Sequence, residues 1–406
     1  MLQFAPHTAV ITAFSHKKVN NILRFTRVAL LMSSLVITSC IESFEPKVAD
    51  APSSYLVVDG AINSHGITVI KLARTTGLAN INKSPAETKA RIYLEQEGGN
   101  RFLLQESPAG TYTSPVLSLA AEQKVRLHFT TANGREYASD FTPAKITPSV
   151  DSITWEAGAQ GLQIAVNTHD DTKQSRYYRW SFDETWEFTS MEASIVEYKN
   201  KNFVFRLDDI YHCWASENST AIKLGTTVKL GQNVISQQPL TLLPSNSVKL
   251  RYKYSILVRQ YALSAEEYSY WEALRKNTEN IGTLFDPLPT QLTGNVHNVA
   301  DASEPVIGFV GAQSVSEKRI FITHSQLPRE WRSVTGYEMC EHYTIPDPAS
   351  ALPPPSLDEI FAFFETGMPT PISSYKANGL LYVVYATSDC VDCRKRGTNV
   401  RPSFWQ

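Results

Sequence analysis

Cysteine, methionine and charge are all sparse in this sequence: five Cys, five Met and 19% charged residues in a chain of 406. It has no glycine-rich phosphate loop, no H-E-x-x-H pair and no G-x-S-x-G elbow, so the common signatures of nucleotide binding, zinc proteolysis and serine hydrolysis are missing. No apolar run reaches the ~20 residues that a membrane-spanning helix needs. No internal period marks a repeat array, which sets aside solenoids and propellers. There is no basic excess either. Formal net charge is -2, and residues 1–39 hold Lys17, Lys18, Arg24 and Arg27 but no acid. The rest carries 34 basic against 40 acidic residues, a charge of -6. Nucleic acid demands a basic footprint, and anionic lipid attracts one, so neither is an expected electrostatic partner.

What the chain does have is bulk and aromatic surface. Hydrophobic residues make up 42%, with 18 Tyr, 18 Phe and 7 Trp. That is enough apolar matter for a sizeable core, and the aromatic share favours strands. The length suits two or three domains.

The N-terminus reads as an export signal over 1–39. The four cations precede an apolar stretch from Val28 to Ile37, and Thr38 and Ser39 lead to Cys40. Ile37-Thr38-Ser39-Cys40 resembles a lipobox, so Cys40 is the expected lipidation site and 40–54 a lipidated tether. Several acyl chains give stable anchoring where one is marginal. Glu42 and Glu45 resemble the acidic signals that send some lipoproteins to the cell surface, so the expected address is the outer membrane, facing outward.

Residues 55–147 carry the period-2 signature of a β-sandwich, Ig-like or prealbumin-like. Ala90, Ile92 and Leu94 alternate with Arg91, Tyr93 and Glu95; Val125, Leu127 and Phe129 repeat the pattern. Asn133-Gly134 predicts a type I′ hairpin turn. A second β-rich, sandwich-like domain is expected over 148–345, with Tyr177 to Phe188 and Leu250 to Gln260 as amphipathic strands. A helix is inserted over 265–281. Ser264 and Glu267 form its capping box, and Tyr268, Trp271 and Leu274 make one apolar stripe. Residues 346–406 hold a proline-rich passage, a second capping box at Ser356 and Glu359 opening a short helix, a last strand from Leu380 to Tyr385, and a cysteine-containing tail expected to pack on the second domain.

No catalytic residue and no metal site are assigned. Asp170-Asp171 and Asp208-Asp209 are adjacent, but strand neighbours point to opposite faces, so they read as solvated loop acids. Trp180, Trp186 and Phe188 suit either a sugar-stacking platform or, preferably, a core. Cys213, Cys340, Cys390 and Cys393 form an even set in an exported chain, which predicts two disulfides. Of three pairings, Cys213–Cys340 with Cys390–Cys393 is favoured for its long loop, worth ~5 kcal/mol in the chain-entropy model. The other two tie the C-terminal segment back onto the second domain and dock Phe404 and Trp405. A Cys₃His zinc set from Cys340, His342, Cys390 and Cys393 is the chemical alternative. A redox role for Cys390-x-x-Cys393 lacks a thioredoxin-like setting.

Several stretches together carry a family resemblance. They are Tyr254 to Tyr261, Tyr268-Ser269-Tyr270-Trp271, Ile281 to Pro289, Gly294-Asn295-Val296, Val306 to Phe309, Tyr178-Arg179-Trp180, Cys213-Trp214 and the tail from Cys390 to Trp405. The chain resembles the Bacteroidota lipoproteins grouped as domain of unknown function 4249. The resemblance implies no established activity and no cofactor. It implies an outer-membrane lipoprotein working beside a TonB-dependent receptor. A non-enzymatic accessory or ligand-capture role is therefore expected first. A structural or adhesive role, and a hydrolase with an unrecognised site, stay open beside it.

Overall fold

The computed structural model describes residues 54–76, 84–279, 292 and 294–406. The expected signal, Cys40, all but the last residue of the tether, the last two residues of the expected helix and the Ile281 to Pro289 stretch of the family resemblance lie outside them. Among the described residues no helix is long and apolar enough to cross a membrane. The fold is mainly β, built as two sandwiches and a smaller C-terminal module.

In the first sandwich, one sheet runs Val306–Ile307, Leu56–Asn63, Ile67–Arg74, Thr111–Val116, Gln105–Glu106. The other runs Val296–Asn298, Glu136–Ser139, Lys124–Thr130, Arg91–Gln96, Arg101–Leu103. Alternation does the work expected of it. Leu56, Val58, Ile70, Leu72 and Tyr112 face Ile92, Leu94, Val125, Leu127 and Phe129 across a closed core. The hairpin at Asn133-Gly134 forms, but not as a type I′ turn. Only Gly134 has positive φ, at 84°. Asn133 instead uses its side chain, accepting from Thr131 Oγ1 at 2.6 Å and the Arg135 amide at 3.3 Å.

The contiguous boundary at 147 needs correction. Val296–Asn298 pairs with Glu136–Ser139, while Val306–Ile307 and Ala312–Gln313 pair in parallel with Leu56–Asn63. The chain thus returns to the first sandwich from within the stretch assigned to the second. Short parallel strands contributed from far along the chain carry no period of their own.

The second sandwich sets Val150–Gly158, Gly161–His169 and Val234–Leu243 against a sheet ordered His212–Asn218, Tyr177–Thr189, Lys253–Leu263, Val315–Thr323. Lys223–Thr226 also pairs with Tyr177–Thr189. Trp180, Tyr178, Phe182, Tyr254, Ile256 and Val258 meet Leu162, Ile164, Val166 and Leu240 in its core. The inserted helix spans Ala265–Glu279.

The C-terminal module has three strands, Tyr343–Ile345, Leu380–Thr387 and Pro369–Ala377, with the helix Leu357–Glu365. Its capping box is complete: Ser356 Oγ accepts from the Glu359 amide at 3.3 Å, and Glu359 accepts from the Ser356 amide at 2.8 Å. Pro369–Ala377 was not expected as a strand. Its prolines are tolerated because it lies at the sheet edge. Ile360, Phe364 and Val383 pack with Tyr198 and Phe203 from the Val196–Lys199/Asn202–Phe205 hairpin, which ties the module to the second sandwich's sequence.

The disulfides join Cys213 to Cys393 and Cys340 to Cys390, each with Cα atoms 5.8 Å apart. This replaces the favoured pairing. The Ser388–Val391 helical turn and the 3₁₀ turn Cys393–Lys395 send the two neighbouring thiols to different partners. The Cys393 amide donates to the Ile210 carbonyl at 2.9 Å, which seats it beside Cys213. Sulfurs committed in this way do not serve as zinc thiolates, and His342 instead faces Glu192 at 3.3 Å. The tail docks: Trp405 is buried against Phe321 and Trp214, and Phe404 lies over Arg319.

Candidate functional site

Strand alternation builds the site. Tyr178, Trp180 and Phe182 turn into the second core, so Arg179 and Ser181 turn out on the opposite face. The antiparallel register sets Arg179 opposite Tyr261, and Tyr261 opposite Val315. The next outward row is Ser181, Arg259 and Glu317. Arg179, Tyr261, Val315, Arg259 and Glu317 of these rows form one wall of a cavity of about 1100 Å³. The outer face of the first sandwich supplies another, through Val57, Asp59, Ala61, Ile67 and Val69, joined by Ile307 and Phe309 of the returning segment. The inserted helix adds Glu267, Tyr270, Trp271 and Leu274. The volume lies just above the roughly 300–1,000 Å³ usual for small-molecule sites.

Arg179 is the unusual group. Its guanidinium carbon lies 4.4 Å from the Tyr261 ring centre and 4.3 Å from that of Trp271. Two aromatic contacts hold it by cation–π attraction. It joins none of the ion pairs among the described residues, and its Nε is buried with no hydrogen-bond partner there. Arg259, one row away, is the opposite case. Asp183 at 2.6 Å and Glu317 at 2.7 Å satisfy it and hold its pKa above the ordinary value.

Glu267 departs from its expected role. Ser264 Oγ does cap the Glu267 amide, at 3.1 Å. The glutamate does not reach back to complete the box. It turns inward, 2% exposed, and accepts from Trp271 Nε1 at 3.3 Å and Gln313 Nε2 at 3.4 Å. Burial pushes its carboxyl up to about 7, against a partial pull downward from the positive Arg179. Gly311 lies beneath it, where a Cβ would collide with the carboxylate. The expected apolar stripe is accordingly not the buried face. Tyr268 packs on Tyr177 at 5.0 Å, while Trp271 and Leu274 line the cavity. Tyr270 stacks near Phe309 at 5.5 Å, and burial, followed by the nearby Asp59 charge, raises its hydroxyl pKa.

The residues singled out from sequence lie elsewhere. Trp180 and Phe188 are core, and Trp186 is partly buried beside Lys249. Asp170 holds a turn, accepting from Thr172 and from the Ser175 amide, while Asp171 is solvent-exposed. Asp209 accepts from the Tyr211 and His212 amides. The four cysteines sit in the disulfides, away from the cavity lining. Arg179 and Glu267 were missed as site residues. The available signal was a lone cation between two inward aromatics on a strand, which puts it on the outer face.

Together the fold and the cavity define a mainly β protein of two interleaved sandwiches with a ligand-sized chamber where they meet. Residues 41–319 match the family described as a domain of unknown function, DUF4249, and the chain belongs to that family. No curated protein shows significant similarity to it. Every residue of the cavity lining falls within the matched stretch, whereas Cys340, Cys390, Cys393 and the docked tail lie beyond it.

Proposed function

We propose that this chain is an outer-membrane lipoprotein of the cell surface, anchored through Cys40. Its role is the non-enzymatic capture of a small ligand in the cavity, in partnership with a TonB-dependent transporter. The observation that carries the capture reading is the chamber itself: about 1100 Å³, lined by aromatic side chains and by a guanidinium that no carboxylate pairs directly. Apolar walls with a few converging polar groups are the usual make-up of ligand sites. The lipobox-like Ile37-Thr38-Ser39-Cys40 supports the anchor, and the family resemblance supports the transporter.

Affinity purification of the tagged chain from detergent-solubilised native membranes tests the partnership. Recovery of a β-barrel receptor is expected. Recovery of the chain alone, with the receptor shown to be present in the same membrane, would overturn it.

A further inference from the structure

We propose that the cavity takes a ligand with an oxyanion head and a flat apolar body, and that Arg179 receives the head. This deepens the capture reading and rests on it. The described lining holds two cations. Arg259 is fully engaged by Asp183 and Glu317, so it has little to offer a ligand. Arg179 has aromatic neighbours in place of carboxylates. Ring contacts satisfy none of the N–H groups in the guanidinium plane, and those N–H groups form the fork that matches two oxygens of a carboxylate, phosphate or sulfonate.

The acids of the lining do not cancel this cation. Glu317 is committed to Arg259. Glu267 is within electrostatic reach of Arg179 but forms no ion pair with it, and its hydrogen bonds go to Trp271 and Gln313. Asp59 is exposed and solvated. A partly buried arginine that no carboxylate pairs or hydrogen-bonds directly recovers only part of its desolvation cost, a state that an incoming anion relieves. The rest of the chamber selects for the body. Ile67 and Val69 remain 51% and 43% exposed on its wall, and Val57, Ile307, Phe309 and Leu274 extend the same apolar surface. Tyr270 and Phe309, with ring centres 5.5 Å apart on the same lining, add aromatic surface suited to a planar group.

The test is calorimetric titration of the purified full chain with three flat probes: naphthalene-1-acetate, 1-naphthyl phosphate and the neutral isostere naphthalene-1-acetamide. Both anions are expected to bind one per chain, at least ten-fold more tightly than the amide. Arg179→Met, which keeps an alkyl chain between the rings, should abolish that preference while leaving amide binding in place, which also reports that the variant is folded. Equal binding of amide and anions to the unaltered chain would overturn the oxyanion assignment alone, as would a preference that survives Arg179→Met. Ala61→Trp fills the chamber and should block all three probes. Unchanged binding in that variant, or no saturable binding of any probe below millimolar concentration, would overturn the capture reading as well. Preference between carboxylate and phosphate then identifies which oxyanion the site suits.

Discussion

Trp180 donates its indole N–H to Gln260 Oε1 at 2.8 Å, and both side chains are buried at the centre of the second sandwich. The amide nitrogen of Gln260 is also spent. It donates to the Pro148 carbonyl and to Thr168 Oγ1, each at 2.9 Å. One glutamine therefore joins the core tryptophan to the linker that leaves the first sandwich. Gln260→Leu keeps the volume but strands the indole N–H and the proline carbonyl without partners. A loss of roughly 2–4 kcal/mol is expected, since each buried orphan costs about 1–3 kcal/mol. Urea unfolding followed by tryptophan fluorescence measures it. A variant within 0.5 kcal/mol of the parent, on the scale of about ±0.5 kcal/mol typical of featureless surface sites, would show the network to be dispensable.

Glu267 makes stability depend on pH. Its carboxyl stands at about 7 in the folded chain, above its ordinary value of 4.5. The folded state therefore holds the proton more tightly than the unfolded state. The associated stabilisation is whole below pH 4.5 and is lost as pH rises through about 7. A gap of this size corresponds to ~3 kcal/mol. The groups facing it are Arg179, Trp271 and Gln313, with Asp59, Arg259 and Glu317 elsewhere on the lining. Glu267→Gln, neutral at every pH, should flatten the stability profile between pH 5 and 8. A slope that persists unchanged in that variant would place the titrating group elsewhere.

The disulfides give a covalent prediction. Peptide mapping without reduction should recover Cys213 with Cys393 and Cys340 with Cys390. The double variant Cys213→Ser/Cys393→Ser, which opens a link between residues 180 apart in sequence, should lose roughly 2–5 kcal/mol. A recovered Cys390–Cys393 peptide would contradict the arrangement.

Anchoring is tested by Cys40→Ala. Acyl chains on that cysteine would supply nearly all the membrane affinity, so the variant should move from the membrane to the soluble fraction. Tight retention in the membrane pellet would mean that something other than lipid holds the chain there.

Much of the β architecture was legible because half-buried strands write alternation into sequence, as at Ala90 to Glu95 and Val125 to Phe129. The Ser356/Glu359 capping box was legible for a similar local reason. Three features were not. The pairing of Val306–Ile307 with Leu56–Asn63 is parallel and only two residues long, so no local pattern encodes it. The two capping boxes look alike on paper. What turns Glu267 inward is the tertiary neighbourhood of Trp271, Gln313 and the bare Gly311. Disulfide pairing was likewise decided by where two short helical turns aim their thiols. The site followed the same rule: Arg179 was visible as a strand residue, but its two aromatic neighbours come from another strand and from the helix.

The interleaved path has a consequence for how the chain can be handled and how it matures. During synthesis Leu56–Asn63 is made long before Val306–Ile307 and Ala312–Gln313, the segments that cover its outer edge. Until they arrive, that strand is a bare template for pairing with another chain, the hazard that edge strands carry. Cutting the protein at residue 147 leaves the same scar permanently. The first sandwich would lack its final strands, and the cavity would lose a wall. The two sandwiches are thus a single unit of inheritance, unsuited to shuffling as separate modules, and the chamber between them exists only once the chain has doubled back.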